Sequence, residues 1–281
     1  MATEIHFLDV GQGNMVLIKA DDANRFVFDC NITQDNETRI LAYVAKVFGK
    51  GNSIKAFICS HRDADHMRGV KKLHAQNPIS KIWDSGYAGT TTDSTEYKEY
   101  MSLRREVGER VIKRKTRDDY GKTRLRFMSD ADERLPKNAN AQGIVIKVEQ
   151  RSQTGDSCLA SAMLPGDSDA EIWKDGILKD YATTDVQSSI LMAAHHGSNS
   201  FFDIPSDSNW YTAHLQAIKP AMVIVSVGPN THGHPKKEAL DFYEKYATGA
   251  NNGDKIARTD KKGTMKLTLK TEDGWQLQYD Q

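Results

Sequence analysis

The sequence lacks the features that would assign it to a membrane or to the secretory pathway. No stretch approaches the ~18 consecutive apolar residues of a membrane-spanning helix, so no span is predicted. The chain does not start with a basic region followed by an apolar run, which predicts that a secretory signal is absent. Lys+Arg and Asp+Glu both total 38, so net charge argues neither for nor against a nucleic-acid partner.

Cysteine is scarce as well. Cys30, Cys59 and Cys158 are odd in number, far apart in the chain, and each lies beside or inside an apolar run. This usage predicts small core residues of a reduced protein and excludes a disulfide framework. Together with the missing signal and membrane span, it predicts a cytoplasmic location.

The arrangement of predicted elements indicates one α/β domain that covers residues 1–281. The sequence has no repeat, no Pro- or Ser-rich linker and no break in composition. Predicted strands cover 4–10, 15–19, 25–29, 54–59, 79–83, 143–149, 158–164, 188–194, 221–227, 256–258, 264–269 and 275–279. Predicted helices cover 38–48, 65–73, 95–108, 168–178, 210–218 and 236–246. This order predicts two mixed sheets packed together, with helices outside.

A basic insertion is predicted at about 86–126. Within it, residues 104–126 contain ten Lys or Arg against four Asp or Glu, although the whole chain is neutral. The simpler interpretation is a solvated helix and hairpin. The alternative is the wall of a groove that binds a phosphate backbone.

Two imidazoles and two carboxylates lie within the seven residues 60–66, between a predicted strand and a predicted helix. His61 and Asp63 are two apart and would project the same way from an extended loop, while Asp65 lies at a helix start, which favours a carboxylate. Imidazole nitrogen and carboxylate oxygen are ligands for Zn, Mn and Fe, so a metal site is one interpretation and a solvated polar loop is the other. Further such side chains follow other predicted strands: Asp29, Asp167, His195, His196 and His234.

These segments together resemble the metallo-β-lactamase superfamily. Residues 61–66 resemble its HxHxDH signature, with Asp in place of the second His. The similarity is greatest to the ComEC-type branch, the nuclease-like domains of DNA-uptake proteins. It is carried by DVGQGN at 9–14, Gly166-Asp167, HHGS at 195–198 and SVGPNTHGHP at 226–235. The resemblance implies a four-layer αββα sandwich, hydrolytic chemistry and two divalent metal ions, Zn or Mn.

The resemblance also implies roles for individual residues. His61 and Asp63 would bind one ion, Asp65 and His66 the second, and Asp167 both. The HHGS segment would supply a further ligand, either His195 or His196, with His196 preferred. Asp29 would orient the metal loop, and His234 would contact the substrate as a phosphate ligand or proton donor, which makes Asp65 and His234 the catalytic candidates. Further residues expected around the ligands or the substrate are Asn140, Ser198, Asn230 and His232.

The sequence departs from the branch pattern at two places. Asn14 stands where the branch has Asp. No His occurs between residues 75 and 194, so the superfamily's third His of the first ion site has no counterpart, and Asn140 would occupy that region. Such a site is rich in oxygen ligands, which leaves the metal open between Mn and Zn.

The leading hypothesis is a metal-dependent phosphodiesterase or nuclease in which a metal-bound hydroxide attacks DNA. One alternative keeps the metal enzyme and changes the substrate to a small phosphodiester (a cyclic nucleotide or a phosphocholine ester), a lactone or a β-lactam. Another is a non-catalytic DNA-binding protein that works with a separate protein partner. The DNA-uptake proteins are attached to membrane channels, and this chain has none, so transport is not expected of it.

Overall fold

The computed structural model describes residues 2–89, 91–205, 207–250, 253–270, 272 and 274–280. Within this part of the chain the longer strands form two mixed sheets. The first sheet contains β1 (Thr3–Phe7), β2 (Val16–Lys19), β3 (Arg25–Phe28), β5 (Ala56–Ile58), β6 (Ile82–Asp84), β7 (Glu109–Val111), β15 (Thr264–Leu269) and β16 (Trp275–Asp280). Their order across the sheet is β16-β15-β1-β2-β3-β5-β6-β7. A two-residue strand, β4 (Cys30–Asn31), bridges to the start of the helical region that follows β5.

The second sheet has the same mixed character. It contains β8 (Arg117–Tyr120), β9 (Thr123–Phe127), β10 (Ile146–Arg151), β11 (Cys158–Leu164), β12 (Ile190–Met192), β13 (Met222–Val225) and β14 (Ile256–Arg258), in the order β14-β13-β12-β11-β10-β9-β8. In both sheets one half is antiparallel and the other parallel: β3, β5, β6 and β7 are parallel in the first, and β11 to β14 in the second. The carboxyl ends of parallel strands share one edge, which is where sites form in such sheets.

Helices cover the outer faces. They are α1 (Glu37–Phe48), α2 (Ala64–Met67), α3 (Val70–Gln76), α4 (Thr95–Val107), α5 (Leu178–Asp180), α6 (Thr183–Val186), α7 (Ala213–Ile218), α8 (Lys237–Tyr246) and α9 (Thr259–Lys262). A π-helical turn spans Ile172–Ile177, and 3₁₀ turns span Ala194–Gly197 and Asn199–Phe201. No helix in the described ranges is long and apolar enough to span a membrane.

The core is divided into three apolar layers. Alternate side chains of β3 illustrate the division, because Phe26 and Phe28 pack between the sheets while Val27 packs under the helices on the other face. On the outer face of the second sheet, Trp173 of the π-helical turn and Tyr243 of α8 are fully buried in one apolar cluster. The layers are therefore helix, sheet, sheet and helix, so the predicted α/β sandwich of two mixed sheets is confirmed.

Several element boundaries differ from the predictions for local reasons. The helix expected over 65–73 is divided into α2 and α3, because Gly69 adopts a left-handed φ of 76°. The helix expected from residue 210 begins at Ala213, and Trp210 is exposed. The helix expected over 168–178 begins at residue 170 and contains a π-helical turn at Ile172–Ile177.

The predicted basic insertion contributes strands to both sheets. Within 86–126, of which residue 90 lies outside the described residues, β7 is an edge strand of the first sheet. The hairpin of β8 and β9 begins the second sheet. The chain thus crosses from one sheet to the other in this segment.

Candidate metal centre

The loops after five parallel strands meet at one edge of the sandwich. Two come from the first sheet, with Asp29 after β3 and residues 60–66 after β5. Three come from the second sheet, after β11, β12 and β13. The two sets touch: His196 Nε2 lies 3.3 Å from Asp65 Oδ2. The edge therefore combines the 61–66 loop and the 195–196 pair in one site.

The first group of converging ligand atoms comes from His61, His66 and Asp167, all buried and within 4.8 Å of one another. His66 Nε2 is 3.1 Å from Asp167 Oδ1, and His61 Nε2 is 4.0 Å from Asp167 Oδ2. Asp63 borders the same group, with its Oδ2 3.5 Å from His61 Nε2. His61 and Asp63, both expected at a first ion, are thus adjacent, and His66, expected at the second ion, also reaches this group.

The second group comes from Asp65, His66 and His196, again within 4.8 Å of one another. His66 belongs to both groups, and Asp167 Oδ1 is also 3.6 Å from His196 Nε2. His195 lies farther out, with a side chain 28% exposed and its Nε2 3.6 Å from Asp167 Oδ2. Both histidines of the HHGS segment thus face Asp167, and His196 is the more deeply buried.

Hydrogen bonds fix the tautomers of the two histidines in the metal loop. Asp29 accepts from Ser60 N at 2.7 Å and from Ser60 Oγ at 2.8 Å. Asp29 Oδ2 also lies 2.8 Å from His66 Nδ1, and a carboxylate can only accept, so Nδ1 carries the proton. Because the Ser60 hydroxyl donates to Asp29, its oxygen accepts from His61 Nδ1 at 3.0 Å. Both rings therefore direct Nε2 away from these partners and into the site.

The HHGS histidines are oriented in the same way. His196 Nδ1 donates to the Ser226 carbonyl at 3.0 Å. The Ser200 hydroxyl donates to Ser198 Oγ at 3.1 Å, so it accepts from His195 Nδ1 at 3.0 Å. With Nδ1 of each ring held by its own partner, all four imidazoles direct Nε2 into the site, and Nε2 is the atom that would bind a metal ion.

The ligand atoms are buried without hydrogen-bond partners. Among the described residues this is true of Nε2 of His61, His66 and His196 and of Oδ1 of Asp63 and Asp167. A buried polar atom left unpaired costs about 1–3 kcal/mol, so several together at one point need an explanation. Nitrogen and oxygen donors of this kind suit Zn²⁺ or Mn²⁺, and the residues therefore fit a divalent metal site.

The charges of the site favour a cation. Burial alone would raise the pKa of Asp167, but the neighbouring His66, His195 and His196 hold it well below its usual range. Burial opposes the charged form of His66, yet the carboxylates of Asp167, Asp29 and Asp65 raise its pKa well above normal. A field that attracts a proton this strongly also attracts a metal ion.

The backbone is strained where the site is built. Asp29 has a φ of 58°, and the consecutive His195 and His196 have φ values of 49° and 55°. Such left-handed conformations cost roughly 1–2 kcal/mol per non-glycine residue. The loops also approach closely, because a Cβ on Gly228 would lie 2.5 Å from the Gly11 Cα. The close packing of these loops holds the backbone in its strained conformations, and this fixes the positions of the imidazoles.

The remaining predicted residues lie around the ligands. The His234 ring is 5.4 Å from that of His195 and 5.8 Å from that of His232, with which it stacks. Asn230 binds the backbone of His234, accepting from its N at 3.0 Å and donating to its O at 2.9 Å. Asn140 Nδ2 reaches His195 Nδ1 only at 3.5 Å, a weak contact.

Ser198 has a local role. Its Oγ accepts from Ser200 N at 3.2 Å and caps the short 3₁₀ turn that follows. Ser198 Oγ also accepts a hydrogen bond from the Ser200 hydroxyl, which in turn orients His195. Among the described residues, the Ser198 side chain itself makes no hydrogen bond to a candidate metal ligand.

Three residues that orient ligands were not predicted from the sequence: Ser60, Ser200 and Ser226. Each is adjacent to or inside a segment that was singled out, but a serine has many ordinary uses, so spacing alone gave no signal. Asn14 also lies closer to the site than expected, because its backbone N donates to Asp65 O at 3.2 Å. Its side chain is buried without a hydrogen-bond partner in the described part of the chain.

Comparison with known proteins agrees with this geometry. The family model for the metallo-beta-lactamase superfamily matches residues 8–141, somewhat less than half of the chain. No curated protein matches the chain by sequence. Similar solved structures include the metallo-beta-lactamase fold protein YhfI from Bacillus subtilis, at TM-score 0.53 and 10% identity, over 94% of this chain and 99% of that one.

Two further structures show the range of chemistry among proteins of this shape. Igni18, a metallo hydrolase from Ignicoccus hospitalis, has a TM-score of 0.52 and 10% identity, over 94% of this chain and 98% of that one. CmlA, a diiron beta-hydroxylase from Streptomyces venezuelae, has a TM-score of 0.54 and 12% identity, over 95% of this chain but only 54% of that one. The chain therefore has a metallo-β-lactamase-like fold, and the family model supports its place in the metallo-beta-lactamase superfamily.

Proposed function

We propose that this protein is a metal-dependent hydrolase that cleaves phosphodiesters. The observation that carries the proposal is the convergence of unpartnered Nε2 atoms from His61, His66 and His196 on Asp167. Two neighbouring ions are favoured by Asp167, because its Oδ2 faces His61 and His195 while its Oδ1 faces His66 and His196. The choice of hydrolysis over other metal chemistry rests on the resemblance of residues 61–66, 195–198 and 226–235 to the metallo-β-lactamase superfamily.

The chain's own residues hold and orient the reacting groups. Bound divalent ions would supply Lewis acidity and lower the pKa of water. Asp63, Asp65 and Asp167 with the histidines would hold the ions, and Asp29 fixes the ring of His66. The protein thereby keeps its donors at set positions before substrate arrives, which is how such sites stabilise developing charge.

His234 borders the ligands on the side of the 226–235 loop. Burial, with a contribution from the nearby His195, lowers the pKa of His234 to about 4, so its imidazole is neutral near pH 7. A neutral imidazole has one N–H to donate. We assign this donor to a phosphate oxygen of the substrate, where it would help to bind the group that is attacked.

DNA is the first candidate substrate, because the motifs most resemble the ComEC-type branch. A basic surface would support this assignment, and the excess of Lys and Arg in residues 104–126 is the reason to expect such a surface. In the fold, six of the ten Lys and Arg of that segment form ion pairs with carboxylates: Arg104, Arg110, Lys113, Arg114, Arg124 and Arg126. Paired cations are less available to a phosphate backbone, so this observation favours the second candidate, a small phosphodiester.

The test compares substrates directly. Purified protein with Mn²⁺ or Zn²⁺ is assayed on single-stranded DNA, double-stranded DNA and bis(p-nitrophenyl) phosphate. We expect phosphodiester cleavage that a chelator abolishes and that Asp65→Ala reduces at least a thousandfold. A matched control, Asp175→Ala, removes an exposed carboxylate paired with Lys179 and should retain full activity. Activity that survives both chelation and Asp65→Ala would disprove the proposal.

A further inference from the structure

One lysine beside the candidate metal centre has no carboxylate partner among the residues that the structure describes. Lys236 follows the 226–235 loop directly, and its backbone N donates to the Gly197 carbonyl at 2.9 Å, one residue after His196. Its Nζ donates to the His232 carbonyl at 2.8 Å. The ammonium is thereby folded back toward the paired rings of His232 and His234, and His234 in turn packs on His195.

The absence of an acidic partner distinguishes this position. No ion pair joins Lys236, His232 or His234 to any carboxylate within the described ranges. The next residue is different, because Lys237 Nζ lies 2.6 Å from Asp241 Oδ2 on the same helix. An ammonium has three donors, and only one of those on Lys236 is used, by a neutral carbonyl. Two donors and a full positive charge remain available.

The surroundings limit where that charge can act. The side chain of Lys236 is half-buried, and its Nζ would lie 3.2 Å from a Cβ placed on Gly233. The ammonium is thus held against the loop instead of extending freely into water. A positive group fixed at the rim, beside the rings of His232 and His234, is placed to bind an anionic substrate that reaches the candidate metal ligands.

We propose that Lys236 is a specificity-determining residue that binds a nonbridging oxygen of an anionic phosphodiester and is dispensable for neutral esters. This inference rests on the proposed function and names the charge of the substrate that the site selects. A hydrogen bond to a charged group contributes about 1.5–3 kcal/mol, which corresponds to roughly 10- to 100-fold in binding. Lys237 makes no such contribution, because its ammonium is paired with Asp241 on the same helix.

The experiment compares Lys236→Gln with the matched control Lys237→Gln and with Lys236→Arg, which keeps the charge. Manganese-loaded protein is titrated with inorganic phosphate by calorimetry, and KM is measured for bis(p-nitrophenyl) phosphate and for neutral p-nitrophenyl acetate. We expect Lys236→Gln to weaken phosphate binding and to raise KM for the phosphodiester by roughly 10- to 100-fold, with no change for the acetate. Lys237→Gln should match the wild type, and Lys236→Arg should restore most of the loss.

The outcomes separate this inference from the function on which it rests. If the wild type cleaves the phosphodiester and Lys236→Gln binds phosphate and substrate as tightly, the inference is wrong and the proposed function stands. Equal losses in Lys236→Gln and Lys237→Gln would also overturn it. A wild type that neither cleaves phosphodiesters nor binds phosphate would overturn both. Unchanged circular dichroism and thermal midpoint of each variant show that the fold is intact.

Discussion

Divalent ions should stabilise this protein strongly against heat. Within the described part of the chain, Nε2 of His61, His66 and His196 and Oδ1 of Asp167 are buried without hydrogen bonds, and each such atom costs about 1–3 kcal/mol. An ion that binds only the folded chain adds about 2.7 kcal/mol at a hundred times its dissociation constant. A chain of this size gains about 2–4 °C per kcal/mol, so the thermal midpoint should rise by about 5–10 °C.

The measurement is differential scanning calorimetry on chelated protein titrated with Mn²⁺ or Zn²⁺. Asp167→Asn weakens a ligand that contacts both groups, so its midpoint should respond by less than about 2 °C. Asp175→Asn, at an exposed carboxylate paired with Lys179, should respond as the wild type does. The reasoning fails if saturating Mn²⁺ and Zn²⁺ both leave the wild-type midpoint unchanged, or if Asp167→Asn responds fully.

Three other substitutions test the supporting structure. Asp29→Asn should weaken metal binding by about 10- to 100-fold in calorimetric titrations, because it loosens the hold on His66; unchanged affinity would contradict this role. Asp84 accepts from Arg62, Arg104 and Tyr100, so Asp84→Asn should lower the free energy of unfolding in urea by about 3–5 kcal/mol, and a loss under about 1 kcal/mol would refute the assignment. Burial lowers the pKa of His214 to about 3, against about 6.5 when unfolded. Burying this imidazole therefore costs no stability above pH 6.5, and it lowers the free energy of unfolding as the pH drops from 6.5 towards 3. Between pH 7 and pH 5 the wild type should therefore lose about 2 kcal/mol more than His214→Phe, and equal losses would exclude this cause.

The sequence predicted the layers of the fold because periodicity is a local property. Alternation such as Phe26-Val27-Phe28 survives into the structure, where successive side chains face different layers. Helix boundaries were less predictable, because they depend on single backbone angles. Gly69 divides one predicted helix, although nothing in the pattern of apolar residues marks that position.

The convergence of candidate ligands was predictable where several of them share a short segment, as in residues 61–66. The choice between His195 and His196 was left open, since both follow the same strand. In the fold, two consecutive left-handed residues turn His196 inward toward Asp65 and leave His195 at the rim, where it still faces Asp167. The residues that orient the histidines could not be predicted, for another reason. Ser226, for example, is 30 residues from His196, and the two meet only through tertiary packing.

The basic segment shows a further limit of sequence reasoning. A count of charges treats each lysine and arginine as free, but the partners of Arg114 are Asp130, Asp132 and Asp180, which lie outside the segment. Local excess charge is therefore cancelled by residues far along the chain. Surface potential has to be judged after folding.

The division of the ligands between the two sheets has a mechanical consequence. His61 to His66 belong to the half of the chain that precedes the second sheet, and Asp167 and His196 to the half that completes it. An ion held by both halves would cross-link them, as a disulfide joins distant segments. Unlike a disulfide, this cross-link would be removed by a chelator. Hydrogen exchange in β5 and β12 should then quicken together when metal is withdrawn, although neither strand lies next to the other.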